Sequence, residues 1–219
     1  MKKLFIVANW KSNKLLADID FYTTSFKEES SVDKEVIICP PFTLLSALRT
    51  LIDEKKLLYK LGAQDISPYE AGAYTGEVNG KQIKEFCDYV IIGHSERRTN
   101  FGEGDEMLKK KVKQALLSGL TPIYCIQDEN TFVPEGVSLI AYEPVSAIGT
   151  GNPDTPENAE KVATAVMSKN PHIRFVLYGG SVTSENIASF VHLEHISGVL
   201  VGGASLDHDK LAVLIKAAS

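Results

Sequence analysis

No run in this chain stays apolar for the roughly 18 residues that a membrane-spanning helix requires. The opening MKKLFIVANWK holds an apolar stretch of only about six residues before Asn9 and Lys11 interrupt it, which does not fit a secretory leader. Cysteine is scarce: Cys39, Cys87 and Cys125 are odd in number, widely separated and set in apolar surroundings. They read as buried free thiols of a cytoplasmic protein, not as a disulfide framework or metal ligands. Positive charge is not in surplus. The net charge of −5 disfavours a nucleic-acid or anionic-membrane partner, while leaving room for a local basic site for a small anion. No Pro/Gly/Ser-rich linker or composition shift divides the 219 residues, so one domain over residues 1–219 is expected.

What the chain does have is eight short, β-branched runs. They are LFIVAN from Leu4, EVIICP from Glu35, YKLGAQDI from Tyr59, YVIIGH from Tyr89, PIYCI from Pro122, VSLIAYE from Val137, RFVLYGG from Arg174 and GVLVGG from Gly198. Near-continuous apolar character over four to seven residues is the mark of strands buried on both faces. Amphipathic patterns lie between them: DIDFYTTSFKEE, TLLSALRTLIDEKK, GDEMLKKKVKQALLSG, TPENAEKVATAVMSKN, TSENIASFVH and DHDKLAVLIKAA. Thr155 and Pro156 make a capped helix start, and Gly119 a helix stop. Alternation of strand and helix predicts a parallel α/β fold. The first strand lacks the G-x-G-x-x-G of dinucleotide-binding sheets, and eight units fit a closed (β/α)8 barrel, a fold of typically ~250 residues.

One unit is too short. In TPIYCIQDENTFVPEGVSLIAYEP, residues 121–144, two strands are separated by about ten residues, whereas a parallel crossover normally takes about a dozen or more. The helix between strands five and six is therefore expected to be missing or reduced to a loop, Asp128 to Gly136. If Glu143 faces the barrel mouth, alternation turns Ile140 and Tyr142 outward, toward that absent helix. Those side chains then need cover from the loop, from shifted helices or from another subunit, or they form an exposed apolar patch.

Barrel enzymes place their chemistry at the C-terminal ends of the strands. Those ends carry Asn9 and Lys11, His94 and Glu96, Cys125, Glu143, YGGS and a final GG. A lysine, a histidine and a carboxylate converging there suit acid/base chemistry, and glycine-flanked amides suit a phosphate. The ordered set ANWK, GAYTGE, IGHSERR, AYEPVSAIGTG, YGGSV and GVLVGGASL resembles the triosephosphate isomerases from about Ala8 to Leu206.

The resemblance implies interconversion of dihydroxyacetone phosphate and D-glyceraldehyde 3-phosphate through an enediolate, in glycolysis and gluconeogenesis, with no cofactor and no metal. By motif, Glu143 would be the base, His94 the neutral electrophile and proton shuttle, and Lys11 the positive charge beside phosphate and oxyanion. Asn9 would help to bind the substrate oxygen. Gly149, Ser181, Gly202 and Gly203 would offer amides to the phosphate, and Glu96 would organise Lys11 and His94. The long polar stretch from residue 67 to 78 would insert into a second copy, implying a homodimer. The alternative reading is a degenerate triose-phosphate-binding or protein-interaction barrel with weak catalysis.

Three places depart from the family pattern. Ser146 stands where the lid normally has tryptophan, NPDTP adds two prolines to the distal hinge, and Gln127-Asp128 replaces the usual Gly-Glu. Arg97 and Arg98 read as structural ion-pair formers, and Cys125 as packing near the site. His172, His192, His195 and His208 read as solvated residues at helix ends or loops.

Overall fold

The computed structural model describes residues 2–20, 34–147 and 151–218. Eight parallel strands close into a barrel in sequence order: β1 Leu4–Asn9, β2 Lys34–Cys39, β3 Lys60–Ala63, β4 Tyr89–Ile92, β5 Thr121–Ile126, β6 Leu139–Tyr142, β7 Phe175–Tyr178 and β8 Ile196–Val201. The barrel closes where β1 pairs with β8, Phe5 opposite Gly198 and Ala8 opposite Val201. Gly198 has φ +149, and a Cβ there would come within 2.0 Å of the Phe5 carbonyl oxygen. Only glycine allows this seam.

Side chains alternate across each strand. One set, including Phe5, Val7, Ile37, Ile91, Ile123, Leu139, Ala141, Leu177 and Leu200, fills the barrel interior. The other set, including Ile6, Ile38, Val90, Tyr124, Ile140 and Val176, packs outward into a larger cluster under the helices. Both faces are thus buried, which is why the strands read as unbroken apolar runs. Cys39, Cys87 and Cys125 are buried and free. Burial, then the charge of Asp88, pushes the Cys87 thiol up to about 12.

Seven helices are described: α1 Phe42–Lys55, α2 Gly80–Lys84, α3 Ser95–Phe101, α4 Asp105–Leu117, α5 Pro156–Lys169, α6 Ile187–Val191 and α7 His208–Ala217. Their starts follow local chemistry. Asp105 and Glu106 sit in the first turn of α4, Thr155 accepts the Asn158 N–H ahead of α5, and Asp207 accepts the Lys210 N–H ahead of α7. The TSENIASFVH pattern yields only the short α6. DIDFYTTSFKEE begins within a 3-10 turn at Leu16–Asp18, and its residues from 21 onward lie outside the described residues. Two short helices, α2 and α3, have no amphipathic signature.

Among the described residues no helix lies between β5 and β6, which nonetheless pair directly, Ile123 with Leu139 through Ile126 with Tyr142. The connecting loop packs on the outer core, and α5 lies against β6. Val137 is buried, and Val133 packs against the outer core that holds Ile140 and Tyr142. Thr131 Oγ1 accepts the N–H groups of Gln127 and Asp128 at 3.1 and 3.2 Å. Lys169, ending α5, reaches across to Glu129 O at 2.9 Å and Asn130 Oδ1 at 3.0 Å. Ile140 and Tyr142 are 0% and 3% exposed within one chain, so their burial needs no second subunit. A hollow of about 590 Å³ lies between α4 and Pro134–Gly136.

Candidate active site

The site grows from the loop after β1. Lys11 holds φ +52, a left-handed conformation uncommon for a non-glycine residue. Its N–H donates to Asn9 Oδ1 at 3.0 Å. Gln64 Nε2 clamps the loop from β3, donating to the Lys11 carbonyl and to the Cys39 carbonyl, both at 2.8 Å. The strain is thereby fixed by neighbours on two strands, as expected where a side chain must be aimed. Lys11 Nζ meets Glu96 Oε1 at 2.6 Å.

His94 caps α3 with its own ring: Nδ1 accepts the Glu96 N–H at 3.2 Å. With Nδ1 engaged as an acceptor, the bonding assigns the ring proton to Nε2, which lies 3.0 Å from Glu143 Oε1. The other carboxylate oxygen, Oε2, accepts the Ser95 N–H at 2.9 Å. Glu143 is 2% exposed and His94 6%. Burial pulls the histidine's pKa down, but the hydrogen bond and charge of Glu143 more than offset it, so the net shift is upward. Taking up that second proton on Nδ1 would require giving up the Glu96 N–H contact, which favours the neutral ring while Glu96 stays in place.

Gly179 follows β7 and lets Glu143 pack closely; a Cβ there would meet Glu143 Cγ at 3.0 Å and Tyr142 O at 3.2 Å. Ser181 also holds a positive φ, +48, and its hydroxyl donates to the Ala147 carbonyl at 2.5 Å, tying the YGGS turn to the segment after Glu143.

Asn9, Lys11, His94, Glu143, Ser181, Gly202 and Gly203 all line one pocket of about 290 Å³. Glu96 sits beside it, half-exposed, joined through Lys11. Gly149 and the Ser146 side chain lie outside the described residues. The larger hollow beside α4 holds lysines, two glutamates and leucines but no histidine, so the smaller pocket is the chemical one. Sequence reasoning missed Gln64, the Ser95 amide, and Thr183 on the pocket wall.

The remaining expectations divide. Arg97 pairs with Asp65 at 2.8 Å and Glu103 at 2.6 Å. Arg98 donates to Gly93 O at 2.8 Å and lies 3.5 Å from Asp105, and neither arginine lines the pocket. Cys125 is buried in the barrel interior, its thiol pushed well up by burial and then by Glu143. His172 and His192 are exposed. His195 and His208 are instead half-buried, paired with Glu160 at 2.6 Å and Asp209 at 3.1 Å.

A carboxylate, an imidazole and a lysine at the C-terminal mouth of a closed parallel barrel define a (β/α)8 enzyme equipped for proton transfer. Comparison with known proteins narrows this class. The family model for triosephosphate isomerase matches residues 4–218. Proteins named triosephosphate isomerase are similar along nearly their whole length. That of Aquifex aeolicus is 38% identical over 247 residues, covering 98% of this chain and 99% of its own. That of Saccharopolyspora erythraea is 37% identical, covering 95% and 94%, and that of Dictyoglomus thermophilum 38%, covering 99% and 100%. The chain belongs to the triosephosphate isomerase family. The Aquifex alignment runs over 247 positions, more than the 219 residues here, so that relative carries residues without a counterpart in this chain.

Proposed function

We propose that this chain interconverts dihydroxyacetone phosphate and D-glyceraldehyde 3-phosphate, as a cytoplasmic enzyme of triose-phosphate metabolism. The observation that carries the reading is the 3.0 Å pairing of His94 Nε2 with Glu143 Oε1 inside the pocket that Lys11 also lines.

The division of labour follows the handling of one proton. Glu143 removes a proton from the carbon next to the substrate carbonyl while His94 Nε2–H donates to the carbonyl oxygen, giving the enediolate. The same carboxylate returns the proton to the adjacent carbon, and the imidazole shuttles between the two oxygens. Triosephosphate isomerases are the standard example of a neutral histidine beside a glutamate base, and the roles given to Glu143 and His94 follow that example. The resting contacts add a further detail. Glu143 Oε2 accepts the Ser95 N–H in the resting site, a contact it exchanges when it reaches a substrate carbon. Lys11 stabilises negative charge on the substrate, with Asn9 beside it. Ser181, Gly202 and Gly203 line the same pocket, where backbone amides would suit a phosphate, with Gly149 expected to join them.

Assembly as a homodimer through residues 67–78 belongs to the same proposal. Residues 69–77 are exposed, the segment is closed at its base by Ser67 N–H to Val78 O at 2.9 Å, and Tyr69 and Tyr74 stack at 4.2 Å. The test is coupled turnover of glyceraldehyde 3-phosphate beside Glu143→Gln, which should lose about 10²–10⁴-fold in rate. Wild-type protein that binds phosphoglycolate but turns nothing over would leave the degenerate-barrel reading in its place.

A further inference from the structure

Six side chains recur at helical spacing along one face of α4: Glu106, Lys109, Lys110, Lys113, Leu116 and Leu117. They line the hollow of about 590 Å³ whose other wall is Pro134, Glu135 and Gly136, in the loop between β5 and β6. A Cβ on Gly136 would stand 2.7 Å from Leu116 Cδ1, so loop and helix close on each other near the C-terminal end of α4. This seam shares no lining residue with the catalytic pocket.

The lining is divided along the helix. Leu116 and Leu117 are 41% and 66% exposed, and beside Pro134 they present apolar surface to water. That surface is stabilised only when something covers it. A turn earlier stand Lys109, Lys110 and Lys113. Lys111, within the same run, turns inward to Asp65 and Glu103. The other three have no ion-pair partner among the described residues. Two acids share the lining: Glu106 lies in the first turn of α4, where the helix dipole already favours it, and Glu135 lies on the loop. Mid-seam, the charge is positive and unanswered, on a chain whose net charge is −5.

An occupant must satisfy both halves. Nucleic acid would answer the lysines and leave the leucines wet. A membrane surface is flat, whereas these leucines lie along a concave seam. The lining runs from Glu106 to Leu117, a rise of about 16 Å, or about three turns of a helix laid alongside. We propose that the seam is a docking site for an acidic amphipathic helix of a partner protein. Its apolar residues, at i, i+3, i+4 and i+7, would cover Leu116, Leu117 and Pro134, and its carboxylates would pair with Lys109, Lys110 and Lys113. Because the catalytic pocket lies elsewhere, such docking places the enzyme without blocking it.

The probe is a fluorescein-labelled peptide of leucine and glutamate with leucines at that spacing, followed by anisotropy against the whole protein. Wild type should bind it saturably, and more weakly as salt rises. Lys109→Glu/Lys113→Glu should weaken binding about tenfold or more, and Leu117→Gln about tenfold. A peptide with lysine in place of glutamate should reverse the order, binding the charge-reversed protein about tenfold better than wild type. All variants change exposed helix residues and should keep wild-type circular dichroism and turnover. Absence of saturable binding, or equal binding by wild type and both variants, would overturn the proposal. So would light scattering that shows self-association abolished by Leu117→Gln, since a second copy would then fill the seam. Binding to phosphatidylserine vesicles that is lost in Lys109→Glu/Lys113→Glu would overturn it in favour of a membrane.

Discussion

His94 holds Glu143 on one ring nitrogen and the N–H of Glu96 on the other, at 3.0 and 3.2 Å. The ring thus lies between a buried carboxylate and the first turn of α3, two neighbours with opposite effects on its proton affinity. Glu143 favours the imidazolium, while the backbone donor at Nδ1 favours the neutral form.

This balance sets a direction that NMR can read. Burial lowers the His94 pKa, but Glu143, with Glu96 adding to it, raises it above the ordinary 6.5. Because the folded ring holds its proton more tightly than the unfolded one, the pair stabilises the fold fully below about pH 6.5. That contribution fades as pH climbs through the raised midpoint. Glu143→Gln removes the main raising charge and leaves burial and Lys11 opposing protonation. The His94 titration, followed on imidazole nitrogens, should then move below the ordinary value. An unchanged midpoint would mean that Glu143 does not control the ring.

A second prediction concerns charge buried behind the site. Lys111 and Glu103 are 3% and 4% exposed. Lys111 Nζ lies 2.6 Å from Asp65 and 2.5 Å from Glu103, and Arg97 bridges the same two carboxylates. The network joins α3 and α4 to the stretch leading into residues 67–78. Lys111→Met leaves Arg97 alone to balance the two carboxylates of Asp65 and Glu103 and should cost about 3–5 kcal/mol in urea unfolding. Replacing Glu103 with leucine as well should recover much of that loss. A neutral single variant would show that Lys111 is not needed to balance the buried acids.

The short connection between β5 and β6 offers a third. Ile140 is fully buried on β6, the strand that follows the loop Lys169 holds. If that loop seals the core as a helix would, Ile140→Ala should cost about 2–5 kcal/mol, the usual range for a closed core site. Lys169→Ala should leave global stability nearly intact but speed amide exchange at residues 128–137. A small effect of Ile140→Ala, below about 1 kcal/mol, would indicate a cover loose enough to collapse into the cavity.

How much of this is legible in sequence depends on how local each signal is. The eight strands are readable because two-sided burial makes each an apolar run, and the start of each lies within two residues of its expected place. Helix α3 is not, because SERRTNF has no apolar face and its cap is the histidine of the site. Lys111 is hidden in a run of three lysines that reads as a solvated face. Gln64 cannot be seen at all: its acceptors, the carbonyls of Lys11 and Cys39, are 53 and 25 residues away in sequence. Lys11, Asn9, His94 and Glu143 emerge from ordered motifs at strand ends; the contacts that aim them are long-range and need coordinates.

Gly179 tests how closely the position of Glu143 is set. A methyl group there would stand 3.0 Å from Glu143 Cγ and 3.2 Å from Tyr142 O. The backbone cannot easily retreat, because the Gly179 N–H donates to that same Tyr142 oxygen at 2.8 Å. The glutamate must therefore yield by a few tenths of an ångström. Overpacking of this kind costs about 1–3 kcal/mol in stability, which a folded barrel can absorb. The proton-transfer geometry is less tolerant, since a displacement of about 1 Å can cost about 10²-fold in rate. Gly179→Ala should therefore remain folded by circular dichroism and lose about tenfold or more in kcat/KM. Full activity would mean that Glu143 reaches the substrate by a path that does not pass Gly179.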